Sequence, residues 1–153
     1  MAWLERRIPP PVVALVVAAA MWSVAGAGPR WTLQPAFHFA LVAIVAATGI
    51  AFDLLGLLAF RRARTTVNPL RPEKASSLVT GGIYRVTRNP MYVGMALVLL
   101  AWAAHLSALL PFAGIAAFVA YITRFQIRPE ERALDALFGQ SFADYAARVR
   151  RWL

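Results

Sequence analysis

This sequence predicts an all-α, polytopic membrane protein: about four transmembrane helices and a C-terminal amphipathic helix. Three observations predict it. The chain of 153 residues is 60% hydrophobic, with a mean hydropathy of +0.60, whereas ordinary globular domains are about half apolar. The surplus is gathered into four blocks, which suits a bilayer better than one oversized core. Of the 16 Lys and Arg residues, all but Arg30 stand before the first block, between the second and third, or from the end of the fourth onward. The length predicts a single membrane domain over 1–153.

The first block, 11–27, follows Arg6 and Arg7. It also has the outline of a signal peptide, with Ala25-Gly26-Ala27 as a small-residue cleavage site, but the charge alternation works best if it is retained as a span. The second, 35–60, is long enough to tilt in a bilayer. It contains Asp53, and a carboxylate at that depth costs roughly 2.5–3.5 kcal/mol on insertion scales. Gly49, Asp53 and Gly56 share a helical face on which small residues permit close helix approach. Asp53 therefore either makes a structural hydrogen bond across the bundle or walls a cavity.

A polar cytoplasmic loop is expected over 61–90, with helix breakers at Asn68-Pro69 and Arg71-Pro72 and turns at Ser76-Ser77 and Gly81-Gly82. Connections of that length are often functional. The third block, 91–106, is short, so its N-terminal end starts below the lipid surface, where irregular backbone is tolerated only around a cavity or inside protein. His105 marks the turn into the fourth block, 109–125, and reads as an interfacial residue. Beyond it, in 126–153, Leu134, Leu137, Phe138, Phe142, Tyr145, Val149 and Trp152 recur at helical spacing. That is an amphipathic helix, kinked near Gly139, lying on the membrane surface or capping the bundle.

With four spans the basic residues fall on one side, and the positive-inside rule makes it cytoplasmic, with both termini there. An inner-membrane location follows. The net charge of +9 then reports topology and anionic lipid contact, so no nucleic-acid partner is expected. The absence of cysteine excludes disulfides, thiolate metal sites and cysteine nucleophiles. The two histidines, His38 and His105, are not clustered with acids at ligand spacing, so no metal is expected.

The polar residues that an apolar span does not need lie in 80–94. Gly81 and Gly82 permit positive φ and close backbone approach. Pro90 suits the first turn of the third helix, with Asn89 or a neighbour as its cap. The helix N-terminus and the fork of Arg88 can hold a carboxylate or phosphate, and Tyr84 and Tyr92 offer ring faces and hydroxyls. A juxtamembrane anchor of arginines and aromatics accounts for the same residues. Past the fourth block, Glu130 and Glu131 are first-turn acids at a helix start or hydrogen-bond acceptors for vicinal hydroxyls. Adjacent on a helix, they point about 100° apart and cannot share one proton.

Val79-Thr80-Gly81-Gly82-Ile83-Tyr84 and Arg88-Asn89-Pro90-Met91-Tyr92-Val93-Gly94, with Arg128, Glu130-Glu131, Leu134, Phe138-Gly139, Phe142, Tyr145 and Val149, resemble the signature of the isoprenylcysteine carboxyl methyltransferase and phospholipid methyltransferase superfamily. The resemblance spans roughly residues 60–152. It implies an integral membrane methyltransferase using S-adenosyl-L-methionine and releasing S-adenosyl-L-homocysteine. In that family the donor sits at the cytoplasmic ends of the last helices, enclosed by the C-terminal segment, and a lipidic acceptor enters from the bilayer. Carried over, Tyr84, Arg88, Asn89, Pro90, Tyr92 and Gly94 line the cofactor and reaction pocket, and Glu130 or Glu131 contacts the adenosyl part. Arg88, Asn89 and Glu131 are the candidate catalytic residues, Arg88 to orient an acceptor anion and Glu131 to take a proton from an amine. The carboxyl methyltransferases usually carry His where this chain has Asn89, which looks more like the phospholipid N-methyltransferases. The acceptor's reacting group, carboxylate or amine, stays open, a homodimer is compatible with so small a bundle, and a non-catalytic scaffold or transporter subunit is the alternative.

Overall fold

The computed structural model describes residue 5, residues 7–63 and residues 77–153. Among them the fold is helical, with helices α1 (Pro10–Val24), α2 (Pro35–Arg62), α3 (Pro90–Leu106), α4 (Phe112–Ile122), α5 (Arg128–Phe138) and α6 (Gln140–Arg148). A 3-10 turn, Gly82–Arg85, precedes α3, and a π-helical turn, Thr123–Ile127, joins α4 to α5. Prolines open α1, α2 and α3, where a missing N–H costs nothing and φ is already helical.

Helix α2 is by itself long and apolar enough to cross a membrane, at 28 residues with a mean hydropathy of 2.3 over its most apolar window. At 1.5 Å per residue it reaches about 42 Å, more than a hydrocarbon core of about 30 Å. Its outward side chains are apolar, with Phe39 65%, Ile44 66% and Leu54 54% exposed, and α1 likewise presents Leu15 at 70%. Contiguous exposed apolar faces of this kind belong against lipid rather than water. Helices α1 and α3 are apolar but shorter, at 15 and 17 residues.

Three boundaries differ from those read in the sequence. Arg61 and Arg62 are not loop: they form the last turn of α2, where cations suit the helix dipole. The rest of the predicted loop falls largely in 64–76, outside the described residues. The fourth block is not one helix of 109–125. It ends at Ile122 and runs through the π turn directly into α5, without the fresh helix start expected at Arg128. Pro129 supplies the reason. A continuous α-helix would need its missing N–H and would drive its ring into the preceding turn, and a wider turn relieves both, with Arg128 N donating five residues back to Thr123 O.

The predicted kink at Gly139 is a full break between α5 and α6. Gly139 has φ 49° and ψ −124°, a conformation open to glycine at little cost.

The core lies between α1, α3 and α4, around Val13, Met21, Leu99, Ala103, Phe118 and Ile122. Trp102 Nε1 donates to Ala18 O at 3.0 Å, pinning α3 to α1. Helix α2 packs on the other side of α3, and Gly49 sets the spacing: a Cβ there would stand 2.7 Å from Gly94 O. His105 is exposed at the far end of α3 and stacks on Trp102, 5.4 Å between ring centroids.

Candidate functional site

The N-terminus of α3 is built by the turn before it. Gly82, at φ 61°, starts the 3-10 turn that buries Tyr84. The Tyr84 ring meets Phe60 of α2 edge-on at 5.5 Å, and its carbonyl accepts from Tyr145 Oη of α6 at 2.7 Å. Thr87 is fully buried, and its Oγ1 accepts from Asn89 N at 3.2 Å.

Asn89 occupies the N-cap position but its side chain makes no capping bond. Its Nδ2 donates instead to Arg151 O at 2.8 Å. The same carbonyl accepts from Thr87 Oγ1 at 3.3 Å, and Arg150 O accepts from Arg88 N at 2.9 Å. Residues 150–153 thus form a strap across the mouth of α3, held at its end by Trp152 Nε1 donating to Thr123 Oγ1 at 3.1 Å.

Helix α5 brings the acids to the same place. Glu130 and Glu131 diverge as successive helical residues must. Glu130 accepts from Tyr92 Oη at 2.5 Å. Glu131 takes both oxygens to guanidinium groups: Arg151 Nε and NH2 donate to Oε1 and Oε2 at 2.9 and 2.7 Å, a two-pronged pair. Arg88 NH2 stands 3.1 Å from Oε1, with side-chain exposure of 13% for Arg88 and 18% for Glu131. The Arg88 guanidinium lies 6.0 Å from the Phe142 ring centroid. Its buried Nε has no hydrogen-bond partner among the described residues.

Burial sets the protonation of the aromatic wall. It pushes the Tyr84 hydroxyl well above its ordinary range, with Tyr145 and Glu130 adding to the rise. It pushes Tyr145 up to about 12, against the opposing pull of Arg88. Both are neutral donors at physiological pH. The hydrogen bond to Glu131 holds Arg151 more firmly protonated.

Tyr84, Arg88, Asn89, Tyr92, Glu130 and Glu131 therefore converge, although the two motifs are about 40 residues apart. Pro90 and Gly94 do not join them. Both face α2: a Cβ on Gly56 would stand 3.3 Å from Pro90 Cγ, and Gly94 lies against Gly49 O and Asp53. Their place is the helix seam, since residues four apart share a face while Tyr92, two from each, points away. Asp53 does not make the hydrogen bond across the bundle through Oδ1, which is buried without a partner among the described residues.

Arg151 and Thr87 escaped the sequence reading. Arg151 is one of several C-terminal arginines, and its charge signals topology as much as a site. Beside the cluster an open groove of about 380 Å³ is lined by Arg128, Glu131, Arg132, Asp135, Phe142 and Arg151. It offers cations, carboxylates and a ring face together.

The sequence model of the phospholipid methyltransferase family matches residues 37–141. An uncharacterized protein of Haemophilus influenzae is 41% identical over 63 residues, 41% of this chain and 100% of that protein. Protein-S-isoprenylcysteine O-methyltransferase B of Arabidopsis thaliana is 34% identical over 93 residues, 58% of this chain and 45% of the plant protein, so the match spans under half of the latter's length. No solved structure matches the chain. The family match takes in nearly all of α2, the turn before α3 and both glutamates, and stops short of the strap; the chain belongs to the phospholipid methyltransferase family.

Proposed function

We propose that this chain transfers a methyl group from S-adenosylmethionine to the carboxylate or amine of a lipidic acceptor, at the cytoplasmic face of an inner membrane crossed four times. The spans are α1, α2, α3 and α4 with the π turn that follows it, and both termini lie on the cytoplasmic side with the basic residues. The observation that carries the reading is the meeting of Arg88 and Asn89 with Glu130 and Glu131 at the mouth of α3.

The residues present suit the donor. Its α-carboxylate needs a guanidinium, for which Arg88, Arg128 and Arg132 are at hand. Ribose hydroxyls need a carboxylate, which Glu131 or Asp135 supplies, and the purine needs a ring face, which Phe142 offers. The unsatisfied Nε of Arg88 leaves one buried donor for a ligand to use.

Bound here, the donor supplies a methyl group made electrophilic by its sulfonium. The protein's part is to align the acceptor and exclude water, the two levers for an in-line displacement. Arg88 orients an acceptor carboxylate, which needs no base. An amine acceptor must react neutral, and the carboxylates of Glu130 and Glu131 are the site's recipients for its proton. The family match and Asn89 favour the amine, as in phospholipid N-methylation.

The test is methyl transfer from labelled S-adenosylmethionine into a membrane lipid extract by the purified protein, with the product identified by mass. A labelled lipid with the methyl on nitrogen or on a carboxylate is the expected result. Folded protein that neither labels lipid nor binds S-adenosylhomocysteine would favour a non-catalytic scaffold or transporter subunit.

A further inference from the structure

The Glu131 carboxylate is satisfied from within the chain. Glu131 accepts a hydrogen bond on each oxygen from the Arg151 fork, and Arg88 NH2 forms an ion pair with it at 3.1 Å. A carboxylate so occupied cannot take a pair of ribose hydroxyls. Arg88 approaches from inside the protein, but the Arg151 side chain is 37% exposed and lines the groove. The strap carrying Arg151 is anchored without that side chain: Arg150 O and Arg151 O accept from Arg88 N, Thr87 Oγ1 and Asn89 Nδ2, and Trp152 donates to Thr123. The guanidinium can therefore leave Glu131 by rotating its own χ angles while the backbone stays in place.

On the reading of the groove as the donor site, we infer that Arg151 is a gating residue: an internal cation that occupies Glu131 in the free enzyme and must withdraw before a nucleoside can bind there. Arg151 is a positioning residue acting through Glu131. Its pair with Glu131 stabilises the fold and opposes ligand binding, so its removal moves stability and affinity in opposite directions. A merely structural residue would lose both together.

The experiment is S-adenosylhomocysteine titration of the full chain in detergent, read by calorimetry and thermal unfolding, for wild type, Arg151→Ala and Arg151→Lys. Arg151→Ala is expected to lower the Tm of the free protein and to tighten binding about fivefold, the order of what a partly exposed ion pair contributes. Arg151→Lys keeps the charge but loses the fork, so it tightens binding by about twofold and keeps the test open should the alanine variant fold poorly. Wild type that binds while both variants bind equally or more weakly overturns the gate and leaves the donor site standing. Folded wild type and variants that all fail to bind overturn the gate and the donor reading together.

Discussion

The two faces of α3 are built on opposite principles. Toward α2 it is a close-packed seam in which Gly94 meets Gly49 O and Asp53, and Pro90 meets Gly56. Toward α5 and the strap it carries a polar network in which most donors and acceptors have partners from distant parts of the chain. Backbones in contact leave no slack, so the seam fixes where the helix stands. Charged side chains on flexible stems can exchange partners, so the polar face is where ligands can be admitted. A rigid seam behind an exchangeable network keeps a site in place while its contents change.

The largest expected effect breaks the seam. Gly94→Val forces a side chain into Asp53 and the α2 backbone, and about 3 kcal/mol of stability should be lost, the upper range for overpacking. Thermal unfolding in detergent would read it as a large fall in Tm. Equal stability would mean that the seam is not close-packed.

Next comes Glu131→Gln, which leaves Arg88 without its anion at 13% exposure. About 2 kcal/mol is expected, below the full cost of breaking a buried pair because water reaches part of it. Unlike the seam variant, it should also reduce the S-adenosylhomocysteine-induced rise in Tm. Asn89→Ala removes one bond to the strap and should cost about 1 kcal/mol.

Alkaline titration sharpens the comparison, since Tyr145 belongs to the polar face. Its hydroxyl is neutral in the fold up to about 12, against an ordinary value of 10.0. The folded state therefore holds the proton more tightly, and stability is complete below pH 10 and declines as pH rises from 10 toward 12. Tyr145→Phe should be less stable at pH 8, having lost its bond to Tyr84 O, and should show a smaller decline through that window. The smallest effect is expected at Arg132→Ala, whose 61%-exposed side chain pairs with Glu5 at the surface and should leave Tm unchanged.

Continuous apolar length made α1, α2 and α3 legible, because a lipid-facing helix is apolar all round, whereas the C-terminal amphipathic segment was legible from its helical spacing. The join between α4 and α5 was hidden: Pro129 reads as a breaker in isolation, and no local pattern marks the π turn, with Gln126 and Ile127 buried, that accommodates it. In the site, the motifs marked Arg88, Asn89, Glu130 and Glu131, but their convergence depends on the strap. No local pattern distinguishes Arg151, which bridges, from Arg148 and Arg150, which also read as topology signals. Gly94 was marked as pocket-lining because it ends a motif, yet its helical phase turns it to α2.

The central claim is that the two motifs act on one ligand, and a double-mutant cycle tests it most directly. S-adenosylhomocysteine affinity would be measured for wild type, Arg88→Ala, Glu131→Ala and the pair. Residues sharing a ligand and an ion pair should deviate from additivity by about 1 kcal/mol. Losses that simply add, or wild-type affinity unaffected by either substitution in folded protein, would contradict a shared site.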